Sequence, residues 1–289
     1  MSKSMGKLGL IGGSGLYKMP ALADGQWIDV DTPWGKPSDA LLVGSIGSRE
    51  VAFLPRHGRG HRIAPSEVNY RANIAALKAA GCTEILAVSA VGGFHEGVSP
   101  GTFVLIDQYI DRTIRGGRSF FENGIVAHVS FARPVCARLG ATVATALAAD
   151  GGPHRIGGTM LVMEGPQFST RAESLLHKSW GCDVVGMTGL PEARLAREAE
   201  LCYASVAMVT DDDAWSTHEV ELSEILQTMG ANVVRAQDLV VAVAAGAKGG
   251  TGCPQGCDHA LEQAVITGRD VWPEEPRGKL ATLAPRLFG

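Results

Sequence analysis

Three consecutive aspartates follow a run of aliphatic residues in the segment VTDDDAW. Three ionised carboxylates are costly together in a low-dielectric environment, so at least one should have a raised pKa and carry a proton near neutral pH. If the preceding strand continues, Asp211 and Asp213 share one face and Asp212 lies on the other. We therefore expect an acid beside a hydrogen-bond acceptor in a buried site, with an exposed acidic turn or a divalent-cation site as the alternative.

Two loops, one glycine-rich and one basic, have the composition of an anion site. GLIGGSGLY places the Ser14 hydroxyl among glycines whose backbone N–H groups can converge on one anion. FLPRHGRGH contributes Arg56, whose guanidinium fork can bind two phosphate oxygens, and His57, whose imidazole can add a donor. A plain tight turn and a solvated basic loop are the alternatives when each segment is taken alone. Together the two loops predict a phosphate-binding site.

Three further segments place polar or aromatic residues directly after predicted strands. VSAVGG predicts a turn at Ser89 and Ala90 whose backbone amides could point into the same crevice. EGPQFSTRAES presents Phe168 at the start of a helix, where its ring could stack on a base. VVGMTGLPEA offers Met187 as an apolar contact and Thr188 as a hydroxyl donor. Ordinary core packing is the alternative for Phe168 and Met187 taken alone.

The elements that must position these groups alternate between strands and helices. Helical stripes at residues 66–82 and 223–245, a capping-box spacing at Thr170 and Glu173, and Pro191 at a first helical position predict four helices. Fully apolar strands with such helices imply an α/β fold with a sheet covered on both faces, and ligand crevices lie at the carboxyl ends of its strands. The strands are predicted at residues 8–11, 51–54, 85–88, 103–106, 160–163 and 206–209.

The composition excludes several classes of function. With 289 residues, 45% of them hydrophobic, and a net charge of -4, the chain should form a large packed core without broad attraction for nucleic acid or an anionic membrane. The most apolar helical stretch is far shorter than the roughly 20 residues that cross a bilayer. No signal peptide is visible at the start, so we expect a cytoplasmic protein. Its six cysteines have the distribution of reduced, mostly buried thiols.

Taken together and in order, these six motifs resemble the trimeric purine nucleoside phosphorylases, most closely the members that act on methylthioadenosine. The resemblance covers nearly the whole chain. It implies one α/β domain, residues 1–289, with a central mixed, largely parallel twisted sheet flanked by helices. It further implies a glycosyltransferase of the pentosyltransferase type, active in purine and methionine salvage, that converts 5'-methylthioadenosine and phosphate into adenine and 5-methylthioribose 1-phosphate. Inorganic phosphate is then a co-substrate, no cofactor is needed, and the enzyme is a homotrimer.

The resemblance also assigns roles to individual residues. Asp211 and Asp213 would hold the purine, with Asp211 as the catalytic general acid; members acting on inosine and guanosine usually have asparagine in this region, so the acid pair favours adenine. Phe168 and Met187 would contact the ribose. His128 would be lent to the 5' pocket of the adjacent subunit. The phosphate site would comprise Ser14, Arg56, His57, Ser89, Ala90 and Thr188, and the methylthio group would meet Leu222, Ile225 and Leu226.

Three alternatives remain at the level of sequence. A phosphorylase for 6-oxopurine nucleosides or methylthioinosine is the nearest, and a nucleotide-binding module without turnover could use the same loops. A zinc protein is the third, since Cys253, Cys257 and His259 are close together. Their spacing is irregular and no fourth ligand is evident, so no metal is expected.

Overall fold

The computed structural model describes residues 6–13, 15–215, 222–246 and 252–289. Within these ranges eleven strands form one sheet with seven α-helices around it. The strands are β1 (Lys7–Gly12), β2 (Gln26–Ile28), β3 (Leu41–Ile46), β4 (Arg49–Pro55), β5 (Cys82–Gly93), β6 (Phe103–Ile106), β7 (Gln108–Asp111), β8 (His154–Ile156), β9 (Thr159–Val162), β10 (Val184–Gly186) and β11 (Cys202–Asp212). The helices are α1 (Tyr70–Ala79), α2 (Ala137–Asp150), α3 (Arg171–Ser179), α4 (Glu192–Glu198), α5 (Leu222–Gly246), α6 (Glu274–Ala281) and α7 (Pro285–Phe288).

The sheet is mixed and largely parallel, which confirms the predicted fold class. Six of its ten strand pairings are parallel, among them those of β5 with β1 and β11 and that of β1 with β4. The antiparallel pairings add β2 and β3 beside β4, β6 beside β11, and β10 beside the end of β5. The long strands β5 and β11 therefore form the centre on which the polar loops converge.

Side chains alternate along the central strands, so both faces of the sheet are covered. On β5, Ile85 and Ala87 belong to a hydrophobic cluster with α1 and α4, whereas Leu86 and Val88 belong to a second cluster with α2 and α5. The same alternation runs along β11. Because a strand directs successive side chains to opposite faces, its nearly continuous apolar sequence supports two helical layers at once.

Helix boundaries follow local capping chemistry where that chemistry is strong. The capping box of α3 is complete: Thr170 Oγ1 accepts from the backbone N–H of Glu173, whose carboxylate accepts from the N–H of Thr170. Helix α1 begins at Tyr70, four residues later than predicted, because Asn69 and not Ser66 caps its first turn. Pro191 is the residue before α4 and not its first helical residue. Helix α5 matches its predicted range within one residue at each end.

Strands β2, β3, β7 and β8 and helices α6 and α7 were not predicted from the sequence, and two further differences concern the central strand and helix α2. The turn predicted at residues 89–93 is wrong, because β5 continues to Gly93 on hydrogen bonds to β11. Helix α2 was not predicted; its N-cap is Cys136, which makes no side-chain capping bond, so the usual polar start signal is missing. None of the described helices, the 25-residue α5 included, is long and apolar enough to cross a membrane.

Candidate active site

The candidate site lies at a gap between strands of the sheet. Along one edge of β5, pairing with β1 stops at Ala87 and pairing with β10 starts at Gly92, while β11 pairs along the opposite edge. A cavity of about 270 Å³ lies at this gap, and Ala90 is exposed to it although it belongs to a central strand. Backbone groups that would normally bond a neighbouring strand therefore face a ligand-sized space.

The predicted phosphate residues gather at this cavity. Arg56, His57, Ser89, Ala90 and Thr188 all line it, although they come from three places in the sequence. Ser14 lies outside the described residues, but its neighbours Gly13 and Gly15 also line the cavity. The carboxyl ends of β1 and β4 thus meet as the sequence predicts, but they meet at the middle of β5 and not at a turn that ends it.

Arg56 has a buried carboxylate partner that the sequence did not indicate. Its Nε and Nη2 donate to the two oxygens of Glu192 at 2.9 and 3.1 Å, and its Nη1 donates to the carbonyl of Val88 at 3.0 Å. Glu192 is fully buried and also accepts from the Tyr203 hydroxyl at 2.8 Å. The Glu192 charge raises the pKa of Arg56 against the opposing effect of its burial. The guanidinium is therefore fixed before any anion arrives, with two of its five N–H groups left for a ligand.

His57 offers an acceptor to the cavity and not the donor that was expected. Its Nδ1 lies 2.9 Å from the carbonyl oxygen of Ile63 and must carry the ring proton, since a carbonyl can only accept. Burial, together with the nearby charge of Arg56, lowers the pKa of His57 to about 4. At neutral pH the ring is uncharged, and its Nε2 presents a lone pair.

The acid pair lies on the opposite strand of the same cavity. Asp211 and Asp213 line it and Asp212 does not, which agrees with the predicted alternation. Burial raises the pKa of Asp211 to about 6; the charges of Asp213 and Asp212 act in the same direction, and the hydrogen bond from Thr210, at 2.7 Å, opposes them. The three aspartates are not among the described groups that could converge on a metal ion, so the divalent-cation alternative has no support.

Asp213 has a buried carboxylate oxygen that makes no hydrogen bond within the described residues. Burial raises its pKa, its backbone N–H is held by the carbonyl of Gly93 at 3.0 Å, and Oδ2 has no hydrogen-bond partner among the described residues. Gly92 provides the space for the pair, because a Cβ there would approach Asp211 Oδ2 to 3.1 Å and Asp213 Cβ to 3.2 Å. Because Asp213 lines the cavity and has a buried acceptor without a partner, its carboxyl group is suited to a donor on a ligand.

Phe168 and Met187 form the wall between the two polar ends. Phe168 is half exposed and lines the cavity, on a loop that turns at Gly165 with a φ of +69°. A side chain at Gly165 would also collide with Met187, since its Cβ would lie 2.4 Å from the sulfur. Both the positive φ and this close approach require glycine.

Arg115 ties the loops of this wall together, and no local signal identifies it in the sequence. Its buried guanidinium donates to the backbone carbonyls of Met187, Met163 and Glu164 at 3.1 to 3.2 Å. It also donates to Tyr70 Oη at 2.8 Å. One side chain thereby couples the loops after β9 and β10 to helix α1.

The predicted 5' residues separate into two groups. Ile225 lines the cavity together with Met229 and Val233 of the same helix face, which was expected to pack on the sheet. Leu222 and Leu226 are 63% and 55% exposed and do not line it. His128 is also exposed and away from the cavity of its own chain.

Comparisons with known proteins show which family the chain and its fold resemble. A model of the Phosphorylase superfamily matches residues 7–245. S-methyl-5'-thioadenosine phosphorylases from Cereibacter sphaeroides and Rhodospirillum rubrum are 53% and 52% identical, each over 97% or more of both chains. A crystal structure of a methylthioadenosine phosphorylase from an antarctic soil metagenomic library is 40% identical over 97% of this chain and 99% of its own, with a TM-score of 0.88. A mutant Schistosoma mansoni adenosine/methylthioadenosine phosphorylase in complex with methylthioadenosine is 36% identical over 92% and 99%, with a TM-score of 0.84.

Proposed function

The chain belongs to the phosphorylase superfamily, and from this premise we propose that it converts 5'-methylthioadenosine and phosphate into adenine and 5-methylthioribose 1-phosphate. The observation that carries the proposal is that an anion-type end and an acid pair line one cavity of nucleoside scale. Phosphorolysis needs both, because phosphate must reach one face of the sugar while the base leaves from the other.

At the phosphate end, hydrogen bonds would contribute more to phosphate binding than net positive charge would. Arg56 is already neutralised by Glu192, so its two remaining N–H groups would act beside the hydroxyls of Ser89 and Thr188 and the backbone amides of the glycine loop. Nε2 of His57 would accept from the hydroxyl of hydrogen phosphate and so orient it. This arrangement places an unprotonated phosphate oxygen towards the sugar.

At the purine end, the two carboxyl groups would have different tasks. As a phosphate oxygen forms its bond to C1', the bond from C1' to N9 breaks and its electron pair passes to the base. A neutral Asp211 would transfer its proton to N7, so that adenine leaves uncharged. The carboxylate of Asp213, whose Oδ2 has no partner among the described residues, would accept from the exocyclic amine, which hypoxanthine lacks.

The sugar and its 5' substituent would occupy the apolar wall. Phe168 and Met187 would contact the ribose, and Ile225 would contact the methylthio group with Met229 and Val233. We propose a homotrimer in which His128, exposed on its own chain, completes the 5' pocket of the next subunit. We further propose that residues 1–289 act as one catalytic domain in the cytoplasm, with phosphate as co-substrate and no cofactor.

The test is base release from 5'-methylthioadenosine with and without phosphate, with methylthioinosine as the matched substrate that differs in the base. We expect adenine only when phosphate is present, together with 5-methylthioribose 1-phosphate in equal amount. We also expect kcat/KM to be at least about tenfold higher for the 6-amino substrate, since Asp213 would meet a carbonyl unfavourably. Adenine release without phosphate would indicate a hydrolase, and equal use of methylthioinosine would favour the 6-oxopurine alternative.

A further inference from the structure

Four cysteines from three distant parts of the chain meet at one point. Cys136 is the N-cap of α2, Cys202 is the first residue of β11, and Cys253 and Cys257 lie in the segment after α5. Their sulfur atoms all lie within 4.8 Å of one another, and Cys136 and Cys253 are 3.6 Å apart. Cys253 is half-buried and the other three are buried.

We propose that these four thiolates bind one thiophilic divalent cation, Zn²⁺ above all, in a structural site. A tetrahedral zinc with bonds of about 2.3 Å has sulfur atoms about 3.8 Å apart, so the observed separations need a contraction of less than about 1 Å. The three residues between Cys253 and Cys257 match the short spacing of zinc-binding cysteine pairs. A pair of disulfides would instead draw the sulfurs together two by two.

The surroundings favour thiolates at this point. Arg138 places Nη2, which also pairs with the Glu84 carboxylate, 3.4 Å from the sulfur of Cys202, where it donates a hydrogen bond to that sulfur. The N-terminus of α2, a 14-residue helix, adds its dipole at Cys136.

The other cysteines and the nearby histidine differ from this group. Cys82 and Cys182 are buried thiols that lie outside the cluster. His259 is not a member of the cluster; its Nε2 lies 3.7 Å from Asp258. The third and fourth ligands are thus supplied by Cys136 and Cys202, which lie far away in the chain, and not by His259.

The site is expected to support stability and not chemistry. It lies at the start of β11, nine residues before Asp211 at the opposite end of the same strand, a separation of roughly 30 Å. A bound ion would tie α2, β11 and the C-terminal segment together. Removing it should therefore lower the thermal midpoint and leave kcat of the surviving enzyme unchanged.

The test begins with metal analysis of the protein purified without a metal-affinity tag. We expect about one zinc per chain, and an absorption spectrum with thiolate-to-metal bands when Co²⁺ replaces it. The zinc content of Cys257→Ser should be at least tenfold lower than that of the wild type. Cys182 is a buried cysteine outside the cluster, so Cys182→Ser should keep the wild-type zinc content. A chelator should lower the thermal midpoint of the wild-type protein and of Cys182→Ser but not that of Cys257→Ser.

Three results would overturn the proposal. One is wild-type protein that takes up no zinc or Co²⁺ after reduction and addition of an equimolar amount. Another is equal metal content in Cys257→Ser. The third is a thiol titration of freshly purified protein in denaturant and chelator: six reactive thiols are expected from the chain's six cysteines, whereas about two would mean that the cluster holds disulfides.

Discussion

Replacing Asp211 with asparagine should abolish most turnover and yet stabilise the protein. The side chain keeps its size, but an amide cannot give a proton to the leaving base. General acid catalysis contributes about 100-fold to 10,000-fold, so we expect kcat to fall by that factor with a much smaller change in KM. Asp212→Asn, which alters the neighbouring residue outside the cavity, is the matched control and should keep wild-type kcat.

The raised pKa sets the expected pH dependence. With a pKa of about 6, Asp211 is protonated in about 9% of molecules at pH 7, whereas a carboxyl at 3.8 would be protonated in fewer than about 0.1%. The raised pKa therefore increases the protonated fraction of Asp211 by about two orders of magnitude. Above pH 6 the ratio of kcat/KM for wild type to that of Asp211→Asn should fall about tenfold per pH unit.

Initial rates of adenine release at limiting substrate, from pH 5 to 9, measure this ratio. Ionisation of phosphate affects both proteins equally and cancels. A variant that retains kcat within tenfold of wild type would remove Asp211 from the acid role. If the ratio stays constant between pH 6 and 8, both proteins share one pH dependence, and Asp211 is not the group that causes it.

The same shift predicts the effect on stability. A carboxyl whose pKa is raised by folding favours the folded state fully below pH 3.8, and this contribution is lost as the pH rises through 6. At pH 7 the ionised Asp211 therefore costs up to about 3 kcal/mol. Urea titrations should show Asp211→Asn more stable than wild type at pH 7 and the advantage shrinking towards pH 4; equal stability at pH 7 would refute the burial argument.

Glu192→Gln leaves the Arg56 guanidinium without its buried counter-charge, so the free energy of unfolding from urea titrations should fall by about 3 to 5 kcal/mol; the exposed Glu50→Gln should change little, and an equally small loss at Glu192 would contradict the pair. Burial raises the pKa of Glu198 to about 7, so its stabilising contribution is complete below pH 4.5 and is lost as the pH rises through 7. Glu198→Gln should remove a decline of about 3 kcal/mol between pH 4.5 and 8, and a curve parallel to wild type would exclude this residue. Phe168→Ala should raise the KM for the nucleoside about tenfold through lost apolar contact with the ribose, with Phe168→Tyr close to wild type; an unchanged KM in the alanine variant would mean that the ring does not contact substrate.

Several elements could be predicted from the sequence because their signals are local. The capping box at Thr170 and Glu173 fixes the start of α3 within one turn of helix. Alternation along a strand placed Asp211 and Asp213 on one side and Asp212 on the other, since side-chain direction depends only on the backbone of that strand. The anion loops and the acid pair were likewise assigned to the carboxyl ends of strands, where a parallel sheet gathers them.

The gap between strands, in contrast, depends on the register of the whole sheet. No residue near Ser89 or Ala90 shows that the pairing of β5 with β1 ends at Ala87 and that its pairing with β10 begins at Gly92. A turn was therefore predicted where the central strand continues. Hydrogen bonds to β11, whose sequence lies more than a hundred residues later, override the local glycine signal there.

Pairs of side chains that meet across the fold were equally invisible in the sequence. From the sequence alone, Arg56 is predicted to bind an anion with its guanidinium fork. In the structure this fork pairs with Glu192, 136 residues later. Cys253 and Cys257 lack further partners until the sheet and α2 bring Cys202 and Cys136 beside them. The sequence determined which chemical groups are available and on which face of each element they stand. Packing between distant elements decided which of these groups are in contact. The packing energy depends on the register and angles of the whole sheet, so no short segment of the sequence determines it.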